Sequence, residues 1–170
     1  RHNVRVRFIG VRTGLDPDIA EIIESAETLT AGNTALNLAF AFNYGAREEL
    51  TDAVRAIARD AAAGKIDPAG ITPESFATRL QSAGLPDADL VIRSGGERRL
   101  SNFLLWQAAY AEFVFVDKLW PDFGREDLMA ALAEFARRDR RFGGVQADHA
   151  VPALAAAQPY DLAPDAVDAD

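Results

Sequence analysis

The sequence predicts an α/β fold in which a mainly parallel central sheet is flanked by helices. Three observations support this prediction. Strand-like segments alternate with helix-like segments along the chain, the strand-like segments after the first have the continuous apolar character of buried parallel strands, and Gly or Pro ends several segments. With 170 residues, the chain is long enough for one domain with a substantial core.

The first half of the chain contains two strand–helix units. Residues 4–9 alternate between apolar and charged side chains, as a strand does, and residues 17–30 carry apolar side chains at helical spacing. The run 34–44 is too apolar for an exposed face and predicts a central strand. Residues 46–63 then predict a helix, which Gly64 ends.

The second half is predicted to contain three further helices and two further strands. Residues 1–145 are assigned to one domain, and the Ala-, Pro- and Asp-rich residues 146–170 to a disordered tail. In chain order, the elements are a helix from the capping Thr72 to about Ala83, a strand at 90–92, a helix capped by Ser101, a strand at 113–116 and a helix at 125–139.

The stretch after the third predicted strand has the layout of a diphosphate site. Arg93 falls at the carboxyl end of that strand, where α/β sheets bind their ligands. Gly95 and Gly96 permit a tight turn and a close approach of backbone N–H groups to a ligand. Arg93 and Arg99 supply charge and forked hydrogen bonds, and the Ser101 hydroxyl adds to a helix start that attracts anions.

Each of these residues also has an explanation without a ligand. The arginines suit a solvated surface, the glycines an ordinary loop, and Ser101 a simple helix cap. Their grouping within nine positions favours the anion site. Glu97 opposes phosphate binding unless its carboxylate orients an arginine or helps to hold a cation.

Composition excludes several classes of function. The net charge is −8, and it is −3 without the five aspartates of the acidic tail, so the broad basic face of a nucleic-acid binder is not expected. Without cysteine and with only His2 and His149, a metal should be a hard cation held by oxygen, such as Mg²⁺. No apolar segment reaches the roughly 20 residues of a membrane span, and no signal peptide is visible, so we expect a cytoplasmic protein.

Three other groups of residues leave alternatives open. Gly45 and Arg47 either share the crevice of Arg93 or only terminate a strand and begin a helix, with Arg47 paired to Glu48 or Asp52. Glu112 is either a solvent-facing edge residue, which the residues slightly favour, or a cation ligand. The basic end of the last helix either complements the helix dipole or forms a second anion cradle; it contains Arg137, Arg138, Arg140, Arg141, Gly143 and Gly144.

Four segments together carry a family resemblance that runs from about His2 to Gly144. They resemble the cis-prenyltransferases, specifically the bacterial undecaprenyl diphosphate synthases. The segments read HNVRVRFIG, TAGNTALNLAFAFNYGAREEL, DLVIRSGGERRLSNFLLWQAAYAEFVFVDKLWPDF and RRDRRFGG. Two substitutions are minor, since Ala46 replaces the second glycine of the usual Asn-Tyr-Gly-Gly-Arg motif and Ser94 replaces a common threonine.

The resemblance implies an Mg²⁺-dependent enzyme that adds isopentenyl diphosphate to an allylic diphosphate, usually farnesyl diphosphate. Its product would be a polyprenyl diphosphate such as undecaprenyl diphosphate, a cell-wall precursor lipid delivered to the inner membrane face. By the same resemblance, Glu112 contributes to magnesium binding, and the segment from Arg141 to Gly143 reaches across a homodimer. The residues implied in binding isopentenyl diphosphate are Arg93, Arg99, Leu100 and Ser101.

One departure from the family pattern is serious. Family members begin with a segment that holds an Asp-Gly-Asn-Gly-Arg motif, whose aspartate is the principal metal ligand, and a Ser-Glu-Asn-Trp segment; this sequence contains neither. We therefore expect that aspartate upstream of Arg1 and expect these 170 residues alone to be inactive. A non-catalytic partner subunit is the alternative, which the retained diphosphate-binding residues disfavour. A generic phosphate-binding domain is disfavoured because Walker and Gly-x-Gly-x-x-Gly motifs are absent.

Overall fold

The computed structural model describes residues 2–138 and confirms the α/β class. All four strands and the starts of the predicted first, second and last helices lie where the sequence predicts them. The elements are β1 (Val4–Ile9), α1 (Pro17–Thr30), β2 (Leu36–Ala41), α2 (Ala46–Ala62), α3 (Pro73–Ala77), β3 (Leu90–Arg93), β4 (Glu112–Phe115) and α4 (Arg125–Arg137), with short 3₁₀ turns at Pro68–Gly70 and Trp120–Asp122.

The strands form two parallel pairs. β1 pairs with β2, with Val4 opposite Leu36, and β3 pairs with β4, with Leu90 opposite Glu112 and Arg93 opposite Phe115. Within residues 2–138 these are two separate two-stranded sheets, so the predicted central sheet is present as two pairs. α1 packs against β1, and α4 packs against β4.

The two strands of the first pair differ in how they are covered. The backbone N–H groups of Val6 and Phe8 on β1 donate to Thr30 Oγ1 and Glu27 Oε1 of α1, at 3.0 and 2.8 Å. Every residue of β2 is exposed, which contradicts the prediction of a buried central strand. The physical reason is that, within residues 2–138, the main contacts of β2 are with β1, and no helix packs extensively on its faces.

Local capping explains where the helices begin. Asp16 accepts from the backbone N–H of Asp18 at the start of α1. Thr72 and Ser75 form a capping box at α3, with Pro73 at the first helical position as predicted. Asp127 accepts from the backbone N–H of Gly124 at the start of α4, at 2.8 Å.

Two helix predictions are wrong. The helix from Thr72 ends at Ala77 rather than near Ala83, and its last residues are followed by turns closed by i to i+3 bonds. No helix follows Ser101, and residues 101–110 form consecutive turns instead. Ser101, Asn102 and Leu104 have φ angles of 50°, 62° and 47°, and this left-handed backbone is incompatible with a right-handed helix.

Half of the buried apolar residues of the core belong to helices α1, α2 and α4. Among residues 2–138, no helix is both long and apolar enough to cross a bilayer. The buried apolar residues are Ile9, Ile23, Ala46, Ala53, Leu80, Ala108, Val114 and Ala131.

Candidate functional site

A cavity of about 250 Å³ lies at the carboxyl end of β3, where the sequence predicts the ligand site. One part of its lining is polar and charged, and the other part is apolar. The loop after β3 contributes Arg93, Arg99, Leu100 and Ser101, which the sequence groups as one site. The strands and the following segment contribute an apolar wall of Val91, Ile92, Phe103, Phe113 and Phe115.

Arg93 holds the loop at 97–101 in place. Its Nη1 atom donates to Ser101 Oγ at 3.1 Å and to the backbone carbonyl of Arg99, and its Nη2 atom donates to the Glu97 carboxylate. With these contacts, the Arg93 side chain is only 24% exposed. One guanidinium at the end of β3 therefore organises most of the loop that lines the cavity.

Glu97 bridges the two arginines of the site. One carboxylate oxygen pairs with Arg93 and the other pairs with Arg99. The sequence left open whether Glu97 repels a ligand, orients an arginine or helps to hold a cation, and its pairing with two arginines favours orientation. Two cations and one carboxylate leave one formal positive charge, and the Arg99 side chain, which is 69% exposed, can turn towards an anion.

The glycine turn forms as predicted, but the N–H groups of its two glycines already donate hydrogen bonds to other parts of the backbone. Gly95 and Gly96 have φ angles of 88° and 74°, which a residue with a Cβ rarely adopts. Their N–H groups donate to the backbone carbonyls of Lys118 and Val116, at 2.8 and 3.1 Å. These two N–H groups therefore fix the turn, and any backbone N–H that binds a ligand must come from another residue of the loop. The expectation of a helix start at Ser101 is wrong, since no helix begins there.

Asn102, which the sequence did not single out, joins this loop to the start of α2. Its carbonyl accepts from Ala46 N and its Oδ1 accepts from Arg47 N, both at 2.8 Å, and its Nδ2 donates to Glu48 Oε2 at 2.9 Å. The two strand–helix junctions thus lie side by side. The Arg47 side chain, however, lines a different cavity with Val11 and Glu48, so it does not join the Arg93 site.

A buried carboxylate lies behind the junction. Glu49 is 2% exposed and accepts hydrogen bonds from four groups. Burial and the neighbouring Glu49 carboxylate raise the pKa of the Tyr44 hydroxyl above its ordinary range. The donors are Tyr44 Oη at 2.6 Å, Gln81 N at 2.9 Å, Ser82 N at 3.3 Å and Gln107 Nε2 at 3.0 Å.

Glu112 lies apart from the Arg93 cavity. It begins β4 opposite Leu90, three register pairs from Arg93, and its Oε2 atom accepts from Arg138 Nη1 at 2.8 Å. Arg138 also donates to the carbonyl of Phe113 and pairs with Glu134, and the Glu112 hydrogen bond is the leading cause of its raised pKa. Glu112 is therefore half-buried in an ion pair, rather than the solvent-facing edge residue that the residues alone slightly favoured.

The described residues do not complete a magnesium site. Mg²⁺ requires near-octahedral oxygen coordination, and residues 2–138 contain no group of three or more His, Asp or Glu side chains that could hold a metal. Glu112 is thus an isolated candidate ligand within this range. The alternative anion cradle of Arg141 with the amides of Gly143 and Gly144 lies outside the described residues.

Comparison with protein families gives a match over most of the chain. Residues 1–143 match the family described as "Putative undecaprenyl diphosphate synthase". The isoprenyl transferase of Agrobacterium fabrum is 56% identical over 151 residues, which cover 89% of this chain and 61% of that protein. The chain thus spans about three fifths of the length of the curated relatives that it matches.

Solved structures show the same fold. The lavandulyl diphosphate synthase of Lavandula x intermedia, crystallised in complex with dimethylallyl diphosphate, superposes with a TM-score of 0.82 and 38% identity, over 85% of this chain and 62% of that one. A probable undecaprenyl diphosphate synthase of Campylobacter jejuni gives a TM-score of 0.72 and 34% identity, over 84% and 64% of the two chains.

Proposed function

Because the chain belongs to the undecaprenyl diphosphate synthase family, we propose that its protein is an isoprenyl transferase that condenses isopentenyl diphosphate with an allylic diphosphate. The observation that carries this proposal is the cavity after β3, where Arg93, Arg99 and Ser101 adjoin an apolar wall. An isoprenyl diphosphate fits this lining, because its anionic diphosphate suits the arginines and its hydrocarbon chain suits the apolar wall.

Each residue of the loop has a defined task in this proposal. Arg99 donates to the diphosphate oxygens of isopentenyl diphosphate. Its side chain is exposed and pairs with Glu97. The backbone at Leu100 and the hydroxyl of Ser101 contribute further hydrogen bonds. Arg93 supplies charge and keeps Ser101 in position. Phe113 and Phe115 exclude water from the hydrocarbon end, which protects a carbocation-like centre from hydrolysis.

Magnesium is part of the proposal, with Glu112 as one oxygen ligand. Residues 2–138 contain no group of three or more His, Asp or Glu side chains that could hold a metal, so the proposal places the remaining ligands outside this range. Arg138 would compete with the cation for the carboxylate, because it is the present partner of Glu112. The segment from Arg141 to Gly143 is proposed to act across a homodimer, and the product to be released at a membrane.

Farnesyl diphosphate is the proposed allylic primer, and undecaprenyl diphosphate the proposed product. One relative of this chain was crystallised with dimethylallyl diphosphate, so the shorter allylic diphosphate must be a separate arm of the test. The alternative, a non-catalytic partner subunit, is disfavoured by the convergence of Arg93, Arg99 and Ser101 on one cavity.

Incorporation of radiolabelled isopentenyl diphosphate into lipid by the purified full-length protein tests the proposal. We expect incorporation with Mg²⁺ and farnesyl diphosphate, and none from the isolated 170-residue chain. The protein is not a transferase of this kind if neither allylic diphosphate supports incorporation. A requirement for a second, different polypeptide would favour the partner-subunit alternative, and activity of the isolated chain would contradict the expectation of an upstream aspartate.

A further inference from the structure

Helix α2 begins without a side-chain cap from its own sequence. Gly45 occupies the N-cap position and has no side chain to accept from the first N–H groups of the helix. Asn102, more than 50 residues away in sequence, replaces that cap. Its carbonyl and its Oδ1 accept from Ala46 N and Arg47 N, and its Nδ2 donates to Glu48 in the first turn.

The ends of the Glu48 and Asn102 side chains lie close to Gly45. A Cβ at this position would meet Glu48 Oε2 and would lie 2.7 Å from Asn102 Nδ2, so a larger residue would displace these two side-chain ends. The φ angle of Gly45 is −142°, an extended conformation that any residue adopts, so space is the constraint here and not backbone conformation. Gly45, Glu48 and Asn102 therefore form one interlocked contact.

Asn102 also fixes a strained part of the cavity loop. Ser101 and Asn102 have φ angles of 50° and 62°, in the left-handed region that non-glycine residues seldom occupy and that asparagine tolerates best. Such a conformation persists only where surrounding contacts over-determine it. The contacts of Asn102 with α2 on one side and of Ser101 with Arg93 on the other supply this constraint.

We propose that Asn102 is a positioning residue for diphosphate binding, which caps α2 from across the site and thereby holds Ser101 and Arg99 at the cavity. Asn102 does not line the cavity, so it acts through its neighbours. The identity of the ligand rests on the proposed function. The capping contact of Asn102 does not depend on that function, so the cap and the effect on ligand binding are tested separately.

Asn102→Gly in the full-length protein separates the cap from the backbone strain, because glycine adopts the same left-handed φ without the side chain. We expect amide exchange at Arg47 to accelerate at least tenfold and the KM for isopentenyl diphosphate to rise about tenfold, with a smaller change in kcat. Asn3→Gly is the matched control. Asn3 also has a positive φ and makes two side-chain hydrogen bonds, but to Thr34 near the amino ends of β1 and β2.

Different failures have different signatures. If the N102G protein shows unchanged exchange at Arg47, the cap is refuted. If exchange accelerates and the melting temperature falls as in N3G while the KM stays constant, the role is structural only and the positioning proposal is wrong. Asn102→Asp combined with Glu48→Gln keeps an acceptor for Arg47 N and a hydrogen bond between positions 102 and 48. This double variant should restore slow exchange and covers the case in which N102G does not fold. If wild type lacks turnover, the proposed function fails, and binding of inorganic pyrophosphate to wild type, N102G and N3G then decides the positioning role.

Discussion

The hydroxyl of Tyr44 donates a 2.6 Å hydrogen bond to the carboxylate of Glu49, which is almost fully buried. Tyr44 follows β2 and Glu49 lies in the first turns of α2, so the bond links the two sides of the β2–α2 junction. The other donors to Glu49 come from the segment after α3 and from Gln107. One carboxylate therefore ties together three parts of the chain that are distant in sequence.

Removing the Tyr44 hydroxyl should destabilise the protein. We expect Tyr44→Phe to lower the free energy of unfolding by about 1.5–3 kcal/mol, the usual range for a hydrogen bond to a charged group. Urea denaturation measures the change. Glu49→Gln completes a double-mutant cycle, and strictly additive losses for the two substitutions would contradict a direct coupling between them.

Arg99→Ala should weaken the binding of isopentenyl diphosphate by about tenfold or more, which corresponds to roughly 1.4 kcal/mol or more. The reason is that Arg99 is the exposed cation of the cavity. The KM and competition by inorganic pyrophosphate measure the effect. Arg98→Ala is the matched control, since Arg98 is its exposed neighbour outside the cavity lining; equal effects of both substitutions would refute the specific role of Arg99.

Arg93→Lys should raise the KM and lower the melting temperature together, although it preserves the charge. An ammonium group cannot reproduce the planar fork that contacts Ser101, Glu97 and the Arg99 carbonyl. Arg93→Ala should increase both effects. Kinetics and thermal denaturation of the two variants check this expectation, and wild-type values for the lysine variant would show that only charge is needed.

Glu112→Gln should raise the concentration of Mg²⁺ that gives half-maximal activity, because an amide is a weaker ligand for a hard cation than a carboxylate. Glu134→Gln is a suitable control, since Glu134 shares Arg138 with Glu112. If both variants behave alike, the effect arises from the Arg138 ion pair rather than from the metal. Magnesium titrations of the initial rate distinguish these outcomes.

The start of α4 should contribute a pH-dependent part of the stability. The backbone N–H of Gly124, and then the Lys118 ammonium, hold the pKa of Asp127 below its ordinary value. This stabilisation is present above the unfolded-state pKa, about 3.9, and is lost as the pH falls through the lower folded-state value. Asp127→Ala should therefore lower the melting temperature at pH 7 by a few degrees and by less near pH 2. A pH-independent difference, or an equal effect of Glu126→Gln, would contradict this assignment.

Local patterns predicted the strands well because strand identity is encoded over four to six residues. The apolar run before Arg93 and the capping pair Thr72–Pro73 both appear in the structure where the sequence indicated them. The turns after Ser101 were mispredicted, since left-handed backbone at Ser101 and Asn102 is fixed by distant partners and not by local propensity.

The site was predicted as a list of residues but not as a set of contacts. Arg93, Arg99 and Ser101 converge because they lie on one short loop after a strand. The cap that Asn102 provides and the pairing of Glu112 with Arg138 join residues about 55 and 26 positions apart, and single-sequence patterns do not encode such pairings. The available signal for Asn102 was an asparagine directly after a serine in a loop that is rich in turn residues.

The uneven covering of β1 and β2 has a practical consequence for handling this polypeptide. α1 occupies the outer edge of β1 with Thr30 and Glu27, whereas β2 is exposed on both faces, one of which carries Leu36, Leu38 and Phe40. Exposed apolar edge strands template intermolecular pairing, so β2 governs how this 170-residue chain behaves at high concentration. Its purification should be limited by self-association, and a charged residue on β2, such as Leu38→Lys, should keep it in solution longer than a charge added elsewhere.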